Sequence, residues 1–181
     1  PTPVYGTKGP LRSYYNSKLQ SEDLTLGWTG LETVVVNPDY IIGPWDVKPT
    51  SGQLIVTMAR RYVPFFPRGG KCFLGVKDCV DAHISALENG RSGQRYLLGY
   101  HNLSYRDFMD RTAMIIGSRP PVMAMPDAAM RLVGKLGEYG SRLDAHRFAG
   151  LNTRVLLSMQ QERYRSGDKM VTELGISPQP I

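Results

Sequence analysis

Two residues in the stretch "RSYYNSKLQSE", Arg12 to Glu22, have types and spacing that could do chemistry: Tyr14 and, four positions later, Lys18. A free tyrosine titrates near pH 10 (about) and is a poor base at neutrality. An ammonium a few ångströms away favours the phenolate, and a helix brings residues i and i+4 that close. Such a pair can pass a proton to or from a substrate oxygen while a cofactor gives or takes hydride. The same spacing also fits a lysine snorkelling beside a surface ring. Spacing alone leaves both readings open.

Other candidate groups point to packing. His83, His101 and His146 are isolated, without the i, i+4 pairing or neighbouring carboxylates of a metal site, so no metal is expected. Cys72 and Cys79 lack CxxC spacing and are too few for a disulfide scaffold; both read as small reduced core residues. There is no Gly-x-Ser-x-Gly elbow and no P-loop. Asp78 and Asp81 resemble paired carboxylates, but Asp78 is better placed to cap a helix. Gly134, Gly137 and Gly140 form a formal GxxGxxG. They follow a helical pattern, not a buried strand, and read as close packing or fraying instead of a phosphate loop. Asn102-Leu103-Ser104 reads as a turn leading into a helix cap.

The Tyr/Lys pair needs a helix, and the sequence predicts one from about Arg12 to Leu26, with Gly27 and Gly30 near its end. Tyr15, Leu19 and Leu26 share one face suited to a core; Tyr14, Lys18 and Ser21 share a neighbouring one suited to a site. "ETVVVNPDYIIGP" is a β-branched run without alternation, as in a strand buried on both faces of a parallel sheet, ended by Asn37-Pro38. A helix is expected around Gln53 to Tyr62, and a short strand at "KCFLGV". Next comes a helix capped by Asp78, with Val80, Ile84 and Leu87 at helical spacing and Gly90 as its stop. "QRYLLG" is a further short strand. Ser104 and Asp107 offer a capping-box start for the next helix, another begins near Asp127, and a last one is stopped by Gly175. The order is that of an α/β chain without internal repeats.

In this context the sequence resembles the extended branch of the short-chain dehydrogenase/reductase family, also called NAD-dependent epimerase/dehydratase. The segments that carry the resemblance are "YYNSKLQSE", "VVVNPDYIIGP", "VKDCVDAHISALENG", "GQRYLLGYHNLSYRDFM" and "SGDKMVTELGISPQP", in the family's order across nearly the whole chain. "VNPDYIIGPWDVKPTSGQLI" is most similar to dihydroflavonol-reductase-like members, including hopanoid-associated sugar epimerases. The resemblance implies NAD or NADP as cofactor, with Tyr14 as acid/base and Lys18 lowering its pKa and bonding the nicotinamide ribose. It implies that backbone near Pro38 and Ile41 meets the nicotinamide amide, and that Asn37 and Lys71 contact substrate, Lys71 where some members place a phosphate-binding arginine. The family's catalytic Ser or Thr falls at Pro1 with Thr2 beside it, so either Thr2 substitutes or the residue is absent. The family's Gly-rich dinucleotide turn has no counterpart after Pro1.

The implied fold is the C-terminal portion of a Rossmann-type parallel sheet plus a small mixed α/β substrate-binding lobe. Residues 1–45 would belong to the nucleotide-binding domain and residues 46–181 mainly to the lobe, with some segments returning to the sheet. The implied function is the later part of a reductase, epimerase or dehydratase acting on a sugar nucleotide or dihydroflavonol-like small molecule. A non-catalytic relative that binds a small molecule or partner without the cofactor is the alternative.

The composition fits a globular protein: 181 residues, 41% hydrophobic and 21% charged. Its net charge of +6 comes from scattered Lys and Arg that do not interleave with aromatics, so nucleic acid is not expected. Arg142, Arg147, Arg154, Arg163 and Arg165 read as a solvated face. No apolar stretch approaches a membrane span and no leader is evident, so a soluble, cytoplasmic protein is expected, and the resemblance makes a homodimer plausible.

Overall fold

The computed structural model describes residues 12–47, 51–144 and 152–181, so Pro1, Thr2, His146 and Arg147 lie outside the described residues. The chain folds as an α/β structure with parallel strand pairs and seven described helices. Helix α1 covers Arg12–Leu26, the span read from sequence. Its inner face carries half-buried Tyr15, Leu19 and Leu26 together with buried Glu22.

The apolar run after α1 is two strands in two sheets. β1 (Val35–Pro38) pairs in parallel with β5 (Arg95–Leu98), and β2 (Tyr40–Ile42) pairs in parallel with β4 (Gly70–Gly75). The chain changes sheets at Asp39, whose N–H still donates to Leu98 O at 3.0 Å. β1 ends at Asn37-Pro38, as the sequence reading has it, but a second strand in another sheet follows where a loop is expected; the proline lacks a ladder donor, and a half-buried aspartate within the run marks the break.

β4 is the centre of a four-stranded sheet. Besides β2 it pairs antiparallel with β6 (His101–Ser104) and in parallel with β8 (Glu162–Arg163). The expected turn at Asn102-Leu103-Ser104 is therefore the β6 edge of this sheet. Ser104 does cap α4 (Tyr105–Ile116), accepting the Asp107 N–H at 3.0 Å. Gly69 lets β8 approach: a Cβ there would meet Gln161 O at 2.3 Å and Met159 O at 2.5 Å. A small parallel pair, β3 (Phe65–Phe66) with β7 (Met123–Ala124), lies beyond α2 (Gln53–Arg60).

Two apolar clusters organise these layers. One joins Leu74, Tyr96 and Leu98 of the sheets to α3 (Val76–Asn89) and α7 (Asp168–Leu174); the other joins Phe73 to Phe108, Met109 and Met58 of α4 and α2. Phe73 and Phe108 stack with centroids 4.4 Å apart. The inward face of α3 corrects the sequence reading. Cys79, Ala82 and Ala86 are buried, whereas Val80, Ile84 and Leu87 are 51%, 52% and 84% exposed. Small residues let the helix lie close on the sheet and α7, and helical spacing alone does not select between two stripes. Asp78 is not the cap either: Gly75 holds that position, and the buried Asp78 carboxylate accepts the Gln179 N–H at 2.9 Å.

α5 (Asp127–Gly140) packs on α6 (Thr153–Ser158) at Gly134. Gly134, Gly137 and Gly140 are all buried, and a Cβ at Gly134 would sit 2.4 Å from Thr153 Cα. The formal GxxGxxG is a helix-packing face. Among the described residues no helix is long and apolar enough to cross a membrane, and no group of three His, Cys, Asp or Glu could hold a metal.

Candidate active site

The site is built where α1, the β1–β2 junction, β4 and β8 meet. α1 carries Tyr14 and exposed Lys18 one turn apart; for Tyr14 the description covers the backbone alone. The next residue, Tyr15, turns inward, where its hydroxyl accepts a hydrogen bond from Arg163 Nη1 and its ring lies 5.5 Å from that guanidinium carbon.

Asn37, half-buried, and exposed Pro38 occupy the carboxyl end of β1, and Ile41 lies in β2, half-buried against the first core cluster. Asp39, between them, faces Lys71 with Oδ1 3.6 Å from Nζ. Lys71 and Arg163 are register partners on the adjacent parallel strands β4 and β8. Thus Lys71, Asp39, Arg163 and Tyr15 form one connected set. Arg165 joins it: its backbone is held by the Asn102 side chain, which accepts from Arg165 N at 2.9 Å and donates to Arg165 O at 2.7 Å. Cys72 Sγ also donates to that carbonyl, at 3.6 Å.

Burial dominates the electrostatics here. It raises the Asp39 carboxyl above the usual carboxylate range, against the opposing pull of Lys71, Arg165 and Arg163. It lowers the Lys71 ammonium, against Asp39 and reinforced by Arg163 and Arg165. Tyr40, beneath, is pushed up to about 12 by burial and then by Asp46.

Arg163 and Arg165 were read from sequence as part of a solvated face. Arg163 is instead half-buried in the sheet, and Arg165, although exposed, is fixed by its backbone next to the same cluster. Asp39 was missed as well. The available signals were a lone carboxylate inside a β-branched run and an Arg-x-Arg pair just before the last helix. Thr2 lies outside the described residues.

Comparison with known proteins agrees with this architecture. A Synechocystis sp. protein whose name, dihydroflavonol 4-reductase, is provisional is 34% identical over 121 residues, covering 63% of this chain and 35% of its own length. Sterol demethylase protein B of Methylococcus capsulatus is 26% identical over 173 residues, covering 93% and 53%. A nucleoside-diphosphate-sugar epimerase from Pseudomonas aeruginosa superimposes over the whole chain and 54% of its own, with a TM-score of 0.73 at 25% identity. The resemblance to extended short-chain dehydrogenase/reductase proteins thus extends to both the curated relatives and the solved structures. No family model matches the chain. The chain spans about a third to a half of the length of the curated relatives just described.

More distant structures share the fold. RMD from Pseudomonas aeruginosa, in complex with NADPH, has a TM-score of 0.60 at 18% identity. A dTDP-glucose 4,6-dehydratase from Streptomyces venezuelae, with NAD bound, has 0.59 at 17%.

Proposed function

We propose that this chain supplies the proton-transfer helix and the substrate-facing lobe of an NAD(P)-dependent reductase, epimerase or dehydratase. Its substrate would be a carbonyl or hydroxyl compound of the sugar-nucleotide or dihydroflavonol type. One observation carries the reading: in a chain similar to reductases and epimerases, α1 holds Tyr14 and Lys18 one turn apart and leads into a parallel strand that ends at Asn37 and Pro38.

In open α/β sheets ligands bind outside the carboxyl ends of the strands. β1 and β5 end side by side, at Pro38 and Leu98, and the chain then departs into the second sheet. That end, with Lys18 on α1, fits the nicotinamide and ribose of NAD or NADP, met by backbone near Pro38 and Ile41. The glycines that could cradle a pyrophosphate by motif lie buried on helix α5, with Gly134 packed against α6. Bound nicotinamide would give or take hydride.

The chain's own residues would move the proton and hold the substrate. Tyr14 Oη donates to the substrate oxygen during reduction and accepts in the reverse direction. The Lys18 ammonium bonds the ribose and favours the Tyr14 phenolate, and Thr2 substitutes for the family's hydroxyl. Asn37 and Lys71 contact substrate beyond the reacting carbon. Under this reading residues 1–45 complete the nucleotide-binding sheet with β5, and residues 46–181 mainly form the lobe.

The test is Tyr14→Phe in a preparation that reduces a carbonyl substrate with NADPH. Turnover should fall by about 10²–10⁴-fold with little change in coenzyme affinity. Full retained turnover overturns the assignment.

A further inference from the structure

Helix α5 has two unlike faces. Met130, Gly134, Gly137 and Gly140 are buried, and Gly134 meets α6. On the other side Leu132, Leu136, Tyr139 and Leu143 follow one another at helical spacing, 61%, 61%, 65% and 91% exposed. Backbone bonds from Leu143 N and Asp144 N to Gly140 O carry the helical path past Gly140, so Leu143 stays in line with the row. From Leu132 to Leu143 the row runs about 16 Å. A single exposed leucine is ordinary, but a contiguous apolar row marks a contact surface.

The charges on the flank of this row have one sign. At the helical turn of about 100° per residue, Arg131, Lys135 and Arg142 fall together on one side of it. All three are exposed, and among the described residues none is in an ion pair. The Arg142 guanidinium carbon lies 5.2 Å from the centroid of the Tyr139 ring, which sets that charge against the row. The two carboxylates of α5 are drawn the other way, toward α6 and the turn after it. Glu138 accepts the Thr153 N–H at 2.9 Å, and Asp127 accepts from the Gln160 amide at 2.9 Å. The outer face of α5 is therefore apolar and cationic.

We propose that this face of α5 docks on an anionic lipid bilayer. The helix lies in the plane of the interface, with the Leu132–Leu143 row against the upper acyl chains and Arg131, Lys135 and Arg142 against the headgroup phosphates. An apolar row with cations along its flank is the pattern of helices that rest on membranes. A bilayer supplies both complements at once, and a tyrosine suits the boundary between them. A second copy of the chain supplies only the apolar one: a symmetric pair uses the same patch on both sides, so each row would meet the same three cations and no free carboxylate. Resting on the surface needs no spanning helix, and none is present among the described residues.

The test is co-sedimentation of the 181-residue chain with phosphatidylcholine vesicles and with vesicles in which about 30% of the lipid is phosphatidylglycerol. The anionic vesicles should bind at least about tenfold more tightly, and that binding should weaken as salt rises from about 50 to 500 mM. Arg131→Gln/Lys135→Gln/Arg142→Gln should remove the preference for anionic vesicles. Leu136→Gln/Leu143→Gln should weaken binding to them at least about tenfold. Circular dichroism checks that the variants are folded. Leu143→Gln alone, at the most exposed position of the row, gives a smaller loss in the same direction and covers the case in which a multiple variant fails to fold. No binding at about 1 mM anionic lipid, equal binding to both vesicles, or unchanged binding in the folded variants overturns the proposal. Self-association in the ultracentrifuge that Leu136→Gln/Leu143→Gln abolishes would also overturn it, by assigning the face to a second copy. Tyr14→Phe, on α1, should leave vesicle binding unchanged.

Discussion

Arg95 of β5 clasps α1 through Glu22: Nε lies 3.0 Å from Oε2 of that carboxylate, and Nη2 reaches Asp23 on the next position. The Glu22 side chain is only 8% exposed and that of Arg95 29%. The ion pair therefore lies between the helix carrying Tyr14 and Lys18 and the strand that pairs with β1. It fixes the rotation of α1 and directs its Tyr15–Leu19–Leu26 stripe inward.

Removing the cation would take the Arg95 partner from a buried carboxylate. Arg95→Met should cost about 2 kcal/mol, below the range for fully buried pairs because Arg95 keeps some contact with water. Urea unfolding of the wild type, Arg95→Met, Glu22→Gln and the double variant measures it. The double variant should recover part of the loss, because no lone charge remains. Additive losses would show that the two groups act independently.

Gly134 separates two readings of the same motif. If the glycine stripe serves helix packing, Gly134→Ala forces a methyl against Thr153 Cα, 2.4 Å from the ideal Cβ, and pushes α6 from α5. We expect a loss of about 1–3 kcal/mol, seen as a lower thermal midpoint, and no effect on nucleotide affinity. A phosphate loop would show the reverse: weakened nucleotide binding at near-normal stability.

The helix bearing Tyr14 and Lys18 was readable because its cues are local: a Gly stop, i, i+4 pairs and a half-buried stripe. The Ser104–Asp107 cap and the Gly175 stop, where φ is 66°, were readable for the same reason. Pairings between distant segments were not. β8 is two residues long and exists only because Gly70 and Lys71 offer it an edge. Arg163 thus looked like any surface arginine in a basic stretch. The end of β1 was marked by Asn37-Pro38, but the second strand beyond it was hidden, because three residues ahead of a glycine read as loop until β4 offers them an edge. On α3, two stripes satisfy helical spacing, and the smaller residues won because the helix lies close to β4 and α7. Small side chains carry little hydrophobic weight in a pattern, yet they decide which face can approach.

The buried thiols give a pH prediction. Burial pushes Cys72 up to about 11, with Asp39 adding to it against the Arg165 backbone bond; burial also raises Cys79. Unfolded cysteine loses its proton near pH 8.5 (about), so between there and pH 11 the unfolded chain binds fewer protons than the native one. Stability from this source is whole below about pH 8.5 and is lost as pH rises through that window. Urea midpoints from pH 7 to 10 should decline, and Cys72→Ala should flatten the decline. Neither thiol should react with a thiol reagent at about pH 8 until the protein unfolds, and rapid native labelling would contradict their placement.

Under the proposed reading α1 and β1 meet the nicotinamide end of a dinucleotide, and Gly134, Gly137 and Gly140 lie buried on a helix, with Gly134 against α6. The adenosine and pyrophosphate contacts that contribute much of dinucleotide affinity are therefore not supplied by a Gly-rich strand-turn-helix in this sequence. Titration of the 181-residue chain with NADH and NADPH should give dissociation constants in the millimolar range (about) or no measurable heat. If the ammonium is the ribose contact, as proposed, Lys18→Met should weaken the binding that is seen. Micromolar binding by the chain alone would mean that its residues hold the pyrophosphate in some other way, and that α1 and β1 are a smaller part of the cofactor site than proposed.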